Sequence, residues 1–249
     1  MGGARDGPAR CVGVDGWAST GPRDGSDAGG LAGGRVGWMG GRMDETAAAA
    51  RRWDRLAGGY DRATRFAERR WFAAARAWLV PRAQGDVLEV AVGTGANLPF
   101  YSADVRLAAV DVSPAMVRLA RRRSAGPEVA ATVAVDVGDA ARTGAPDAAF
   151  DAVVCTFALC AVPDERVVLA ELVRVLRPGG LLLLADHVES SSAPVRGLHR
   201  VLDVVSARAE EHYRRRPLLW AQESPALDVL DVHASRRRLV EAVVARRVP

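Results

Sequence analysis

From position 86 onward, short apolar runs alternate with amphipathic stretches. The runs DVLEVAV (86–92), RLAAVDV (106–112), ATVAVDV (131–137), FDAVVCTF (150–157) and LLLLADHV (181–188) predict strands. They are apolar throughout rather than alternating, which suits strands covered on both faces, as in a parallel α/β sheet. SPAMVRLARRR (113–123) predicts a helix with Ser113 as N-cap and Pro114 at its first position. PDERVVLAELVRVLR (163–177) predicts a second, with an apolar stripe at Val168, Leu169, Leu172, Val173 and Leu176. A helix is also expected near Leu98–Ser102. Pro178-Gly179-Gly180 suits a turn at positive φ. Farther on, 194–216 reads as helical, and ALDVLDVHA (226–234) and RLVEAVVAR (238–246) as two final strands. The whole is a seven-strand α/β sheet with a closing hairpin.

Ahead of the sheet, the stretch 44–82 predicts two or three helices, broken at Gly58-Gly59 and ended at Pro81. Its aromatics, Trp53, Tyr60, Phe66, Trp71, Phe72 and Trp78, suit packing on the core, a lid over a site, or a surface that touches lipid. Residues 1–42 differ in kind: they hold 14 of the 25 glycines and no periodicity. Such a segment cannot offset its ordering entropy, so disorder is expected. It also lacks the apolar core of a secretory signal. We expect Met43 to be the true start and the folded domain to span 43–249.

The composition, 49% apolar and 26% charged over 249 residues, is that of an ordinary globular chain. No run approaches the ~18 apolar residues of a membrane span. Net charge is +4 and every basic side chain is Arg, with no Lys, which fits a GC-rich coding sequence better than a nucleic-acid surface. The Arg triplets at 121–123, 214–216 and 236–238 read first as solvated faces. Cys11, Cys155 and Cys160 form no CxxC pair and have no His at zinc spacing, so no metal and a reducing, cytoplasmic setting are expected.

The chemistry concentrates at 87–97, VLEVAVGTGAN. Gly93 and Gly95 let backbone pass close to a ligand, and the helix expected after them would offer free N–H groups to an anion. Glu89, a carboxylate inside an apolar strand, wants a cationic partner such as the amino group of an amino-acid ligand. Leu98 stands where a dinucleotide fingerprint needs its third glycine, which counts against a nicotinamide or flavin. Asp111 closes the next strand, where a carboxylate can accept both hydroxyls of a ribose; capping the following helix is its alternative role. Asp139 sits at the third strand tip, placed for an adenine amino group, and Val112 and Met116 offer apolar contact to a purine.

Taken in order, VLEVAVGTGAN, VDVSPAMV (110–117), VGDAA (137–141), FDAVVCTFALCAVPD (150–164) and LRPGGLLLLADHV (176–188) resemble the class I S-adenosylmethionine (SAM)-dependent methyltransferases, in particular the methyltransferase type 11 group. GTGANLPFY with the stretch from Val153 to Val188 is similar to the thiol methyltransferase branch. The Tyr60-Asp61 pair resembles the quinone- and phospholipid-methylating members. The resemblance covers about 50–246 and implies a Rossmann-like, doubly wound fold, mostly parallel with a C-terminal antiparallel hairpin. It implies that Glu89, Gly93 and Gly95 border the methionine part of SAM, Asp111 the ribose, and Asp139 and Ala140 the adenine, and Asn97 is expected among the cofactor-binding residues. It places Thr156, Phe157 and Leu159 beside the sulfonium and the acceptor. Ala91 departs from the pattern, standing where the first glycine of GxGxG is usual; a negative φ would accommodate it.

Any base is expected from His187, at the end of the fifth strand and oriented by Asp186, or from Tyr60 reaching over the cofactor. The acceptor is expected to be a small molecule or lipid, among thiols, quinols, phospholipids and amines, with peripheral membrane contact open. No base-stacking platform interleaved with basic residues suggests nucleic acid. A SAM-binding protein without catalysis and a nucleotide-dependent oxidoreductase are the rival readings.

Overall fold

The computed structural model describes residues 36–187, 217–235 and 239–249. Helix α1 (Val36–Ala57) stops at the Gly58-Gly59 pair, and α2 (Tyr60–Ala67) follows. A wide, π-type turn at Glu68–Phe72 leads into α3 (Ala73–Leu79) and a tight turn at Val80–Arg82 that holds Pro81. Both expected breaks are therefore in place. Because α1 begins at Val36, the boundary expected at 42/43 falls inside a helix. Cys11 and the helix expected at 194–216 lie outside the described residues.

Seven strands form one sheet: β1 (Asp86–Val90), β2 (Arg106–Asp111), β3 (Thr132–Val137), β4 (Phe150–Thr156), β5 (Leu176–His187), β6 (Leu227–Ala234) and β7 (Val240–Arg247). Their order is β3-β2-β1-β4-β5-β7-β6. The first five are parallel; β7 runs antiparallel to β5, and β6 antiparallel to β7. Helices α4 (Pro114–Ser124), α5 (Glu165–Val175) and α6 (Pro217–Glu223) fill the connections.

The apolar runs are buried on both sides because successive side chains enter two different cores. On one face Leu88, Val90, Val153 and Cys155 pack with Val168, Leu169 and Leu172 of α5. On the other, Val87, Leu107 and Val154 pack with Leu79 of α3 and with Val117 and Ala120 of α4. Ser113 caps α4 as expected, its Oγ accepting from the Met116 N–H at 3.1 Å. Asp164 does the same for α5, accepting from the Arg166 and Val167 N–H groups.

Two local expectations are corrected. The helix expected near Leu98–Ser102 is a single 3-10 turn, Leu98–Phe100. Tyr101 then extends, with ψ 141°, and buries its ring beneath the sheet, so the chain turns toward β2 before a helix can propagate. The glycine loop therefore does not run directly into a helix N-terminus. Helix α5 also ends at Val175, and Leu176 opens β5 instead of closing the helical stripe. Pro178-Gly179-Gly180 bulges out of β5 where its register with β4 jumps from Phe150↔Leu176 to Ala152↔Leu181, and Gly179 has φ +80°.

Candidate active site

Strand order reverses where β1 lies between β2 and β4, which opens a crevice at the carboxyl ends of the strands. A cavity of about 330 Å³ occupies it, within the usual size range of small-molecule sites. Its floor is the strand tips and loops: Ala91 and Gly93 after β1, Asp111, Val112 and Met116 after β2, and Gly138, Asp139 and Ala140 after β3. Glu45, Thr46, Ala49 and Trp53 of α1 form its roof together with Tyr60. Phe157, Ala158, Ala161 and Val162 border it on the β4 side. Gly93, Asp111, Val112, Met116, Asp139, Ala140 and Tyr60, scattered in sequence, thus meet around one space.

The glycine loop turns sharply. Ala91 has φ +52°, so the negative φ expected for it is overturned. Gly93, at φ +56°, has nothing within 4 Å of the position a Cβ would take, which leaves room for a ligand against its backbone. Asp111 braces this loop: its two oxygens accept from the Gly93 and Ser113 N–H groups, both at 2.9 Å. Burial, partly offset by these bonds, holds the Asp111 carboxyl above the usual aspartate range. Asp139 accepts from the Ala141 N–H at 2.9 Å and from the Thr46 hydroxyl at 3.1 Å.

The roof is clasped to the same loops. Besides Thr46 on Asp139, Asp54 of α1 accepts from the Ser113 hydroxyl at 2.6 Å and the Ala115 N–H at 2.8 Å, at the head of α4. Asp61 accepts from the Thr94 hydroxyl at 2.6 Å and pairs with Arg123. The Tyr60 ring stands edge-on to Trp53, 5.9 Å between centroids.

Glu89, Asn97 and Thr156 are not in the cavity lining. They form a buried network beside it. Glu89 accepts from the Asn97 amide at 2.9 Å and from the Tyr101 hydroxyl at 2.8 Å. Asn97 also donates to Thr156, and Arg76 of α3 donates to Asn97 at 2.7 Å and Thr156 at 2.9 Å. Glu68 pairs with Arg76 from outside at 2.9 Å. The cationic partner expected for Glu89 is thus present at one remove, as a protein side chain.

Burial pushes the Glu89 carboxyl up to about 7, against the lowering effect of its hydrogen bonds and of Arg76. Between the ordinary glutamate value and about 7, the folded state holds a proton that the unfolded chain has released. Stability should therefore fall as pH rises through that window and level off above it. Thermal melts from about pH 5 to about pH 8 should show the decline, with a shallower slope for Glu89→Gln. An equally steep decline in folded Glu89→Gln protein would assign it to another group.

The remaining expected residues serve elsewhere. Gly95 meets Leu98 and the Ala120 backbone, so a Cβ there would collide within the protein and not with a ligand. Leu159 is buried in the core beneath the loop after β4. His187 ends β5 with Nδ1 3.3 Å from Asp186 Oδ1, and does not line the cavity. Its ring lies parallel to Phe157 and Phe72, at 6.4 and 6.3 Å. Cys160, Asp186 and His187 bring sulfur, oxygen and nitrogen within 4.8 Å of one another. The Asp186 oxygens already accept from the Cys160 and His187 N–H groups, so this carboxylate fastens the loop after β4 to the end of β5.

Arg76 and, of the roof residues of α1, Glu45, Thr46 and Ala49 were not singled out from the sequence; Trp53 was, among the aromatics suited to a lid. Arg76 did leave a signal: it shares a helical stripe with Phe72, Ala75 and Leu79, an arginine at an apolar position. The α1 contacts join positions far apart in the chain and leave no local pattern.

Residues 88–184 match the family model described as a methyltransferase domain, of the type 11 group. A phosphatidylethanolamine N-methyltransferase of Cereibacter sphaeroides is 34% identical over 47% of this chain and 58% of its own length. A demethylmenaquinone methyltransferase of Deinococcus radiodurans is 36% identical over 50% and 52%. A thiol S-methyltransferase of Homo sapiens is 39% identical over 41% and 42%. The chain thus spans about half the length of the curated relatives it matches. In fold it resembles a Haloferax volcanii methyltransferase complex with the Trm112 activator, at TM-score 0.62 and 16% identity, covering 79% of this chain and 98% of that one. A Thermotoga maritima SAM-dependent methyltransferase gives TM-score 0.60 at 19% identity, covering 79% and 99%. The matched segment, the strand order and the crevice agree: residues 88–184 match the type 11 methyltransferase domain model, and the sheet has the fold seen in solved SAM-dependent methyltransferases.

Proposed function

We propose that the protein is a SAM-dependent methyltransferase acting on a small-molecule or lipid-like acceptor. The observation that carries this reading is the cavity itself, where Gly93, Asp111, Met116 and Asp139 converge under a roof of α1. These residues fit the cofactor: open space over the Gly93 backbone, a buried carboxylate at the second strand tip for a ribose, and a second carboxylate beside Ala140 for an adenine. The cofactor, when bound, supplies a methyl group already activated on a sulfonium.

What remains for the protein is positioning, which can lower a barrier by up to about 7–11 kcal/mol. The clasped roof covers the cavity. Phe157, stacked on Phe72 at 4.2 Å and capped by the Arg76 guanidinium at 4.8 Å, forms a firm wall where the acceptor would lie. Tyr60 is the polar group on the roof nearest that role. His187, its ring 6.4 Å from that of Phe157, stays out of the cavity lining and would have to move before it could take a proton from an acceptor.

The curated relatives methylate a phospholipid, a demethylmenaquinone and thiols by their names. We extend that range, thiol, quinol, phospholipid or amine, to this chain. Among the described residues no helix is long and apolar enough to cross a membrane. Calorimetric titration with SAM, S-adenosylhomocysteine and NAD, followed by methyl transfer to a panel of those four acceptor types, tests the reading. Binding of NAD in preference to SAM would overturn it; SAM binding without transfer to any acceptor would favour a role by interaction.

A further inference from the structure

The stretch 60–72, α2 and the π-type turn, contains no fully buried residue. Phe66 is 71% exposed and meets Trp71 edge-on at 5.6 Å. Single exposed aromatics are common; this one is marked by its neighbours. Arg62, Arg65, Arg69 and Arg70 are all exposed. The two acids of the stretch face elsewhere, Asp61 toward Arg123 and Glu68 toward Arg76. The outward charge is therefore that of the four guanidiniums. Helical spacing sets Arg62, Arg65, Phe66 and Arg69 on one side. Both ends of the stretch reach the candidate site: Tyr60 lines the cavity, and Phe72 stacks on Phe157, which also lines it.

We propose that this face docks the protein on an anionic lipid bilayer, with the arginines on headgroup phosphates and Phe66 entering the interface. Guanidiniums pair well with phosphate oxygens, and an aromatic ring settles at the boundary between headgroups and acyl chains. Basic residues beside an apolar anchor are the pairing that holds a surface helix on anionic lipid. A nucleic-acid backbone would attract the charge, but the face offers it one exposed ring and no row of rings for successive bases. Docking here deepens the lipid-like acceptor reading, on which it rests only for its purpose, since it would bring the cavity mouth to the bilayer.

Sedimentation with phosphatidylcholine vesicles, with and without phosphatidylglycerol, tests the docking. The protein should bind the anionic vesicles at least about tenfold more tightly than the neutral ones, and release as salt rises. Arg65→Glu with Arg69→Glu should lower anionic-vesicle binding at least about tenfold, and Phe66→Ala severalfold. Calorimetry with S-adenosylhomocysteine checks that each variant keeps its fold and site. Equal binding to both vesicle types, unchanged binding by the double variant, or a preference for duplex DNA over anionic vesicles would each overturn the docking. Vesicle binding without S-adenosylhomocysteine binding would leave the docking standing and overturn the cofactor reading; the reverse result would do the opposite.

Discussion

Asp111→Ala is expected to weaken SAM binding at least about tenfold, and about a hundredfold if both ribose hydroxyls are held. Each charged hydrogen bond contributes on the order of 1.5–3 kcal/mol, and 1.4 kcal/mol is tenfold. The structure adds a second source of loss. Asp111 also accepts from Gly93 and Ser113, so its removal frees the glycine loop from the head of α4. Asp111→Asn separates the two effects: it keeps one oxygen acceptor and loses the charge. Calorimetric titration gives the affinity, and a melt without ligand shows whether the loop has loosened. Unchanged affinity in a folded Asp111→Ala protein would sink the assignment.

The second large effect is expected at Arg76. Arg76→Ala removes the donor to Asn97 and Thr156 and one half of the pair with Glu68. Breaking a buried pair by deleting one partner costs about 3–5 kcal/mol. The Glu68 side chain is 30% exposed and can rehydrate, so the low end, about 3 kcal/mol, applies. Urea unfolding should show a lower midpoint at an unchanged slope. Arg76→Lys should recover little of it, because a single ammonium cannot reproduce the planar fork between Glu68, Asn97 and Thr156. A loss below about 1 kcal/mol in Arg76→Ala would mean the network is not what anchors α3 to the sheet.

The sheet was legible because burial on both faces writes wholly apolar strands, and five of the seven also end in recognisable motifs. Asp111, Asp139 and Gly93 were legible for a related reason: a carboxylate or glycine at the end of such a strand has few structural duties that explain it. The roof was not. Thr46, Asp54 and Asp61 clasp loops that follow them by dozens of positions, and a polar residue on an amphipathic helix carries no mark of its partner. The helix expected near Leu98–Ser102 shortened to one 3-10 turn because Tyr101 extends and buries its ring, its hydroxyl donating to Glu89. His187 ends β5 as expected, but sequence could not show that it stays out of the cavity lining while Phe157, its ring 6.4 Å away, enters it.

Ala91 carries a consequence for how the chain can drift. Left-handed backbone costs a residue with a β-carbon roughly 1–2 kcal/mol, and glycine, asparagine and aspartate escape most of it. Saturation of position 91 should therefore retain those residues and alanine and discard valine and isoleucine first, whose branched side chains are stiffest. Identity shared at this turn reports backbone geometry before it reports chemistry. Two homologues can keep the loop while exchanging their acceptors, and acceptor choice is then free to diverge in α1, where the backbone is helical; Phe157, at φ +55°, is under the same backbone constraint as Ala91.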